Sequence, residues 1–357
     1  MPRRLPPRAP ALLAAILGLA CLAPPAAALA ARPAANHAAP PGAAPLNPSP
    51  SSLQAFVLAG APDSFADLQA HVRQVGTIYP TYFHCAVPGG AVTGAGEPAL
   101  DAYAAAHRLA ELPRFTCQDG ATVHRILTAP RLRARVFARL LALARAPGYA
   151  GLNLDLENDA ARDRRPLSAF VAALAAALHA ERRRLAVDVV GVVREDPRRA
   201  TYLYDDRALA AAADTVFVIA WGVHWERSPP GPLAPLPYVR AVARRLAALP
   251  HARRFVLGVP MYGLDWAGRG GPPNPGRALQ YAALSALARA VGAEPARDPA
   301  SGEMTFAYTR AGVTHHVWYL DARAVAQRVA IARAYRLGAG LWRLGEEDQR
   351  VWGEPGV

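Results

Sequence analysis

Residues Gly151-Leu152-Asn153-Leu154-Asp155-Leu156-Glu157 set polar and apolar side chains in strict alternation. Successive side chains of an extended strand point to opposite faces. Leu152, Leu154 and Leu156 therefore share one face, and Asn153, Asp155 and Glu157 share the other. The leucines suit packing against helices, so the polar face must look inward. Two carboxylates on one buried face are costly unless they are paired or used. At this spacing they also couple, and the proton affinity of one rises, which suits a general acid near neutral pH. The competing arrangement is an internal ion pair with one of the chain's arginines. Catalysis calls for both acids side by side in an open hollow. A salt bridge calls for a guanidinium against them.

The elements that position this strand repeat along the chain. Short apolar runs occur at 53–59, 77–85, 111–117, 151–157, 185–193, 214–221, 254–262 and 338–344. Helical stretches such as 130–146, 166–182, 236–249 and 321–337 lie between several of them. Alternating strand and helix implies parallel pairing, and eight repeats predict closure into a (β/α)8 barrel, an α/β fold. No Gly-rich dinucleotide fingerprint follows the first run to favour an open doubly wound sheet. The seventh unit is longer than a barrel loop requires. It holds a helix near 277–291 and two strand-like pieces, 303–309 and 313–319, split by Arg310-Ala311-Gly312. This predicts a small α+β insertion, about residues 267–325, walling a cleft on the top face of the barrel.

The chain has 357 residues, of which 52% are hydrophobic and 19% charged, as expected of a globular domain. Its net charge is +13, yet it contains no Lys, and its arginines are scattered rather than clustered. A positive field of this kind carries no sequence specificity, so no nucleic-acid partner is expected. Attraction to an anionic cell-wall polymer fits better. Arg3, Arg4 and Arg8 precede an apolar run, Ala9 to Ala23, closed by Pro24-Pro25 and the small-residue site Ala28-Leu29-Ala30. Residues 1–30 thus read as a secretory signal peptide, with an uncleaved anchor as the alternative. A lipid on Cys21 is disfavoured by Gly18, where a leucine is usual. Residues 31–50 read as a Pro/Ala-rich tether and 51–357 as the barrel, monomeric and exported, with no later membrane span. Cys85 and Cys117 fall at the ends of neighbouring expected strands, so a disulfide and two buried thiols both stay open. No Cys/His cluster has metal-ligand spacing, and no cofactor is implied.

With these residues in view, GLNLDLE resembles the fourth-strand signature D-G-x-D-x-D-x-E of glycoside hydrolase family 18, the chitinase-like barrels. It is similar to the bacterial branch with spore-cortex peptidoglycan hydrolases, where Asn commonly stands at the position of Asn153. Gly258-Val-Pro-Met-Tyr-Gly-Leu-Asp-Trp266 resembles the family's seventh-strand P-x-Y-G-x-x-W. Val317 to Ala322 resembles the end of its insertion, and Leu341 to Asp348 its eighth strand, with Trp342 in place of the aromatic floor. The likeness runs over roughly residues 53–352.

The resemblance implies hydrolysis of a β-linked N-acetylglucosamine glycan, whether peptidoglycan, chitin or poly-N-acetylglucosamine, with retention and with the substrate's own acetamido oxygen as nucleophile. Glu157 would protonate the leaving oxygen and then activate water, while Asp155 orients the acetamido group. Asn153, Trp221, His224, Trp225, Tyr262 and Trp342 would contact the glycan. His315-His316 reads as surface decoration. Two departures bear on activity. Ala150 replaces the first Asp of the signature. Ile219-Ala220-Trp221-Gly222 stands where the family has Met-x-Tyr-Asp, so an indole N–H replaces a hydroxyl and a carboxylate is missing. Loss of one preorganised donor costs about 2.7–4 kcal/mol of transition-state stabilisation. A carbohydrate-binding barrel with little or no turnover is therefore the alternative.

Overall fold

Proline decides where the barrel's strands break. In the computed structural model, which describes residues 52–157, 160–271 and 273–357, the second strand is split into Val75–Pro80 and Phe83–Cys85. The third is split into Ala110–Glu111 and Arg114–Cys117, with Pro113 in the gap. Proline has no amide hydrogen to give to a ladder, so pairing stops and resumes beyond it. The other six strands are Leu53–Val57, Gly151–Leu156, Arg184–Val190, Thr215–Ile219, Phe255–Pro260 and Gly338–Trp342. The expected leader at 1–30 and tether at 31–50 lie outside the described residues.

All neighbouring barrel strands pair in parallel. The eighth meets the first with Gly340 opposite Gln54. The circle closes through both pieces of strands two and three, with Thr77 opposite Ala110 and Phe83 opposite Phe115. The (β/α)8 architecture is thus as expected. Helices cover the outside with apolar stripes at helical period. In Arg164–Ala180 the buried side chains include Leu167, Phe170, Val171, Leu174 and Leu178. In Leu236–Ala247 they are Val239, Val242, Ala243 and Leu246. Inside, Phe56 lies 4.9 Å from Tyr79 and 4.9 Å from Phe217, ring centre to ring centre. A Cβ on Gly258 or Gly340 would sit 2.5 or 2.3 Å from a Phe217 ring carbon, so glycine is required for that ring to fit.

The seventh unit differs from expectation in detail. The run 254–262 is not one strand. It stops at Pro260, and Tyr262–Ala267 opens a second, five-stranded antiparallel sheet with Arg277–Gln280, Val313–Tyr319, Met304–Arg310 and Ala296–Arg297. The expected helix 277–291 starts only at Tyr281, because Arg277–Gln280 pairs with Tyr262–Asp265. An available partner strand overrode helical propensity there. The helix Tyr281–Ala290 packs Leu284 and Ala288 on Phe306, Tyr308, Val317 and Tyr319. A buried pair fastens the insertion to the barrel. Glu303 accepts from the amides of Leu233 and Ala234 at 2.8 and 2.7 Å, and Arg328 donates to the carbonyls of Ala234 and Ser301 at 2.7 and 2.8 Å. Cys85 and Cys117 form a disulfide across the upper ends of strands two and three, with Cα atoms 5.1 Å apart.

Candidate active site

Register assembles the site. Arg114 lies opposite Asn153 and Thr116 opposite Asp155, so the inner face of strand three meets the polar face of strand four. Leu154 pairs with Val187 on the other side, which sets Asp188 next to Asp155. The Arg114 guanidinium donates through Nη2 to Asp155 Oδ2. Thr116 Oγ1 donates to the same oxygen at 3.0 Å. Gln118 Nε2 donates to Glu157 Oε1 at 2.9 Å, and Asn153 Nδ2 to Asp188 Oδ1 at 2.6 Å. Arg114 comes no nearer than 3.9 Å to the carboxylates of Glu157 and Asp188. Asp155 therefore takes the internal ion pair that competed with a purely catalytic reading, while Glu157 stands at its edge, 3.9 Å from the same guanidinium.

One guanidinium among three buried carboxyls cannot neutralise all of them. Burial first, and then the charge of Asp155, pushes the Glu157 carboxyl up to about 8. Burial and then Asp155 likewise hold Asp188 well above the ordinary carboxylate range. At neutral pH Glu157 thus keeps its proton, as a general acid must.

The floor is aromatic. Trp342 lies 4.9 Å from Phe56 and 6.4 Å from Trp221, and the Arg114 guanidinium carbon sits 5.1 Å from the Trp342 ring centre. These groups, with Asp188, Phe217, Ile219 and Glu157, enclose a cavity of about 10 Å³. That is room for one water. The open hollow expected from the sequence is therefore narrow, because Arg114 and two indoles occupy it. Arg114 Nε and Trp342 Nε1, both on the cavity lining, are buried without a protein partner. Each such atom costs about 1–3 kcal/mol unless something supplies its hydrogen bond. Their convergence marks a site built to be completed by a polar ligand.

A second cavity, of about 310 Å³, opens between Leu58, Asp63 and Ser64 after strand one, Arg343 and Glu346 after strand eight, and Gln280 of the insertion. Tyr262 lines it and is almost fully buried. Its hydroxyl faces the Trp221 indole, and burial raises its proton affinity well above the usual phenol range. The first strand of the insertion sheet thus brings a hydroxyl beside Trp221.

Other expected contacts do not converge. Asn153 is fully buried and serves Asp188 instead of facing the cavity. His224 turns into its own loop, with Nδ1 2.9 Å from the Pro229 carbonyl. The Trp225 carbonyl accepts from the Trp266 indole at 3.3 Å. Neither His224 nor Trp225 lines either cavity. His315, read as surface decoration, has Nδ1 2.9 Å from Asp265 and stacks 4.5 Å from Tyr308, bracing the insertion sheet. Sequence reasoning missed Arg114, Thr116, Gln118 and Asp188. A signal existed for three of them. Arg114 and Thr116 alternate along run 111–117 as the polar set does on strand four, and Asp188 is a lone charge inside Leu185–Val190.

The sequence profile of glycosyl hydrolases family 18 matches residues 119–347. YdhD of Bacillus subtilis (strain 168), named as a sporulation-specific glycosylase, is 31% identical over 229 residues, which cover 62% of this chain and 53% of YdhD. The cortical fragment-lytic enzyme of Bacillus anthracis is 22% identical, covering 64% of this chain and 54% of that enzyme. The chain thus spans about half the length of these two relatives. The crystal structure of a chitinase from Chromobacterium violaceum ATCC 12472 superposes with a TM-score of 0.76 at 28% identity, covering 85% of this chain and 97% of that one. Profile, barrel and inward-facing acids agree, and the chain belongs to the glycosyl hydrolases of family 18.

Proposed function

We propose that the protein hydrolyses a β-linked, N-acetylglucosamine-containing glycan outside the cytoplasm, with retention and by substrate assistance. The carrying observation is Glu157, a buried acid at the mouth end of strand four that keeps its proton beside the carboxylate of Asp155. The acetamido carbonyl oxygen attacks the anomeric carbon while Glu157 gives its proton to the departing glycosidic oxygen, and the C–O bond breaks. The positive charge left on the cyclised acetamido group faces Asp155. Glu157, now a carboxylate, takes a proton from water, which opens the ring from the same side. Trp342 offers an apolar face to the sugar.

The names of two similar proteins, a cortical fragment-lytic enzyme and a chitinase, support a cortex glycan or chitin as substrate. The layout of residues 1–30 supports export, with 31–50 as tether and 51–357 as a monomeric catalytic barrel. Among the described residues no helix is long and apolar enough to cross a membrane. The test is release of reducing ends from N-acetylglucosamine oligomers and from peptidoglycan. Glu157→Gln is expected to slow it roughly 10²- to 10⁴-fold. Equal rates for the two proteins would remove Glu157 from the chemistry.

A second reading is a carbohydrate-binding barrel with little turnover. The cavity of about 10 Å³ and the Asp155–Arg114 pair favour it, as do Trp221 and Gly222. Binding to the polymer with no reducing ends released over a day selects this reading.

A further inference from the structure

We propose that Arg114 is a positioning residue for the hydrolysis, acting through Asp155: it grips one oxygen of that carboxylate and so fixes the carboxylate beside the Glu157 acid. The inference rests on the functional reading above. Among the described residues Arg114 is the one cation within 4.0 Å of Asp155, Glu157 or Asp188. It is only 8% exposed, so solvent does little to screen its pull. The grip is two-pointed and one-sided. Arg114 Nη2 and Thr116 Oγ1 both donate to Asp155 Oδ2. A carboxylate held in this way cannot turn without breaking both bonds, and it meets the protonated Glu157 carboxyl beside it.

The same guanidinium lies 5.1 Å from the Trp342 ring centre and 5.8 Å from that of Phe56. One side chain therefore spaces the sugar's platform from the acid pair. Lysine would supply the charge but neither the planar fork nor the stacking face. The groups facing this cluster are Thr116 and Gln118 from the segment of strand three, Asn153 on strand four, Asp188 on strand five, and Tyr79, whose proton affinity is raised by burial and then by Asp188. None of them offers a second cation to take the place of Arg114.

The test is a double-mutant cycle on kcat and KM with an N-acetylglucosamine oligomer, using Arg114→Gln, Asp155→Asn and the pair. Arg114→Gln alone is expected to lower kcat roughly 10²-fold, the scale of one lost preorganised contact. Arg114→Lys is expected to recover part of that loss. In the Asp155→Asn background, Arg114→Gln is expected to change kcat less than about 3-fold, because residues that act as a unit are not additive. Should Arg114→Gln fail to fold, the double variant, in which both charges are gone, still answers against Asp155→Asn. Equal losses in both backgrounds overturn the positioning role alone. A wild type that releases no reducing ends overturns the functional reading, and this role with it.

Discussion

At the scale of single residues, chemistry turns on where one proton sits. The Glu157 carboxyl is held at about 8, against 4.5 for the free side chain, by burial and by the neighbouring charge of Asp155. An acid catalyst must be protonated, so kcat is expected to hold through neutral pH and to fall about tenfold per unit once pH passes about 8. A profile that already declines near pH 5 would contradict this. The same shift has a stability consequence of defined sign. A group whose folded value is raised contributes stability that is complete below its unfolded value and is lost as pH rises through the folded one. Glu157→Gln has no proton to lose. Its Tm relative to the wild type is therefore expected to be higher at pH 9 than at pH 6, measured by thermal denaturation at both.

At the scale of elements, the weak side of the barrel is the one clipped by a covalent bond. Strands two and three are each interrupted, by Pro80 and Pro113, so few ladder hydrogen bonds join them. The Cys85–Cys117 disulfide closes that seam over a separation of 32 residues. The chain-entropy estimate for such a loop is roughly 3–4 kcal/mol, equivalent to a Tm loss of about 5–6 °C in a domain of this size. The seam also leads straight to the acid. The Glu157 amide donates to the Cys117 carbonyl at 3.0 Å, and the next residue, Gln118, holds the Glu157 side chain. Cys85→Ser with Cys117→Ser is expected to lower both Tm and kcat, and reductant to do the same to the wild type. An unchanged Tm on reduction would show that the bridge contributes nothing. The cysteines were legible as a pair of candidates from their places at strand ends, but choosing between a bridge and two thiols required the closed barrel.

At the scale of the whole molecule, charge matters more than any single ion pair. A formal +13, carried by Arg alone, gives a long-range field that favours anionic polymers without selecting among them. Screening shortens its reach from about 10 Å at 0.1 M salt to about 3 Å at 1 M. Co-sedimentation with an anionic cell-wall polymer is expected to weaken several-fold over that range, while binding to uncharged chitin stays level. Equal salt dependence for both polymers would show that the field plays no part in capture. The insertion belongs to this scale as well. Its Glu303 is buried, raised to about 7 chiefly by that burial, and engaged with the amides of Leu233 and Ala234, so the cleft wall is seated on the barrel by backbone contacts that no local pattern announces.

The chain's own periodicity was enough for the eight strands, most of the helices, the inward face of strand four and the identity of Asp155 and Glu157 as its acids. Those features follow from short-range geometry, since the direction of a side chain depends only on its place in its own strand. The partner of Asp155 depends instead on the stagger between strands three and four, which closure around Phe56, Tyr79 and Phe217 sets. That stagger placed Arg114 against the acid and narrowed the hollow. It withdrew Asn153 behind the pair, and loop packing on Trp266 kept Trp225 away. Contacts between segments distant in sequence are fixed only when every segment packs at once, so tertiary structure alone decided them.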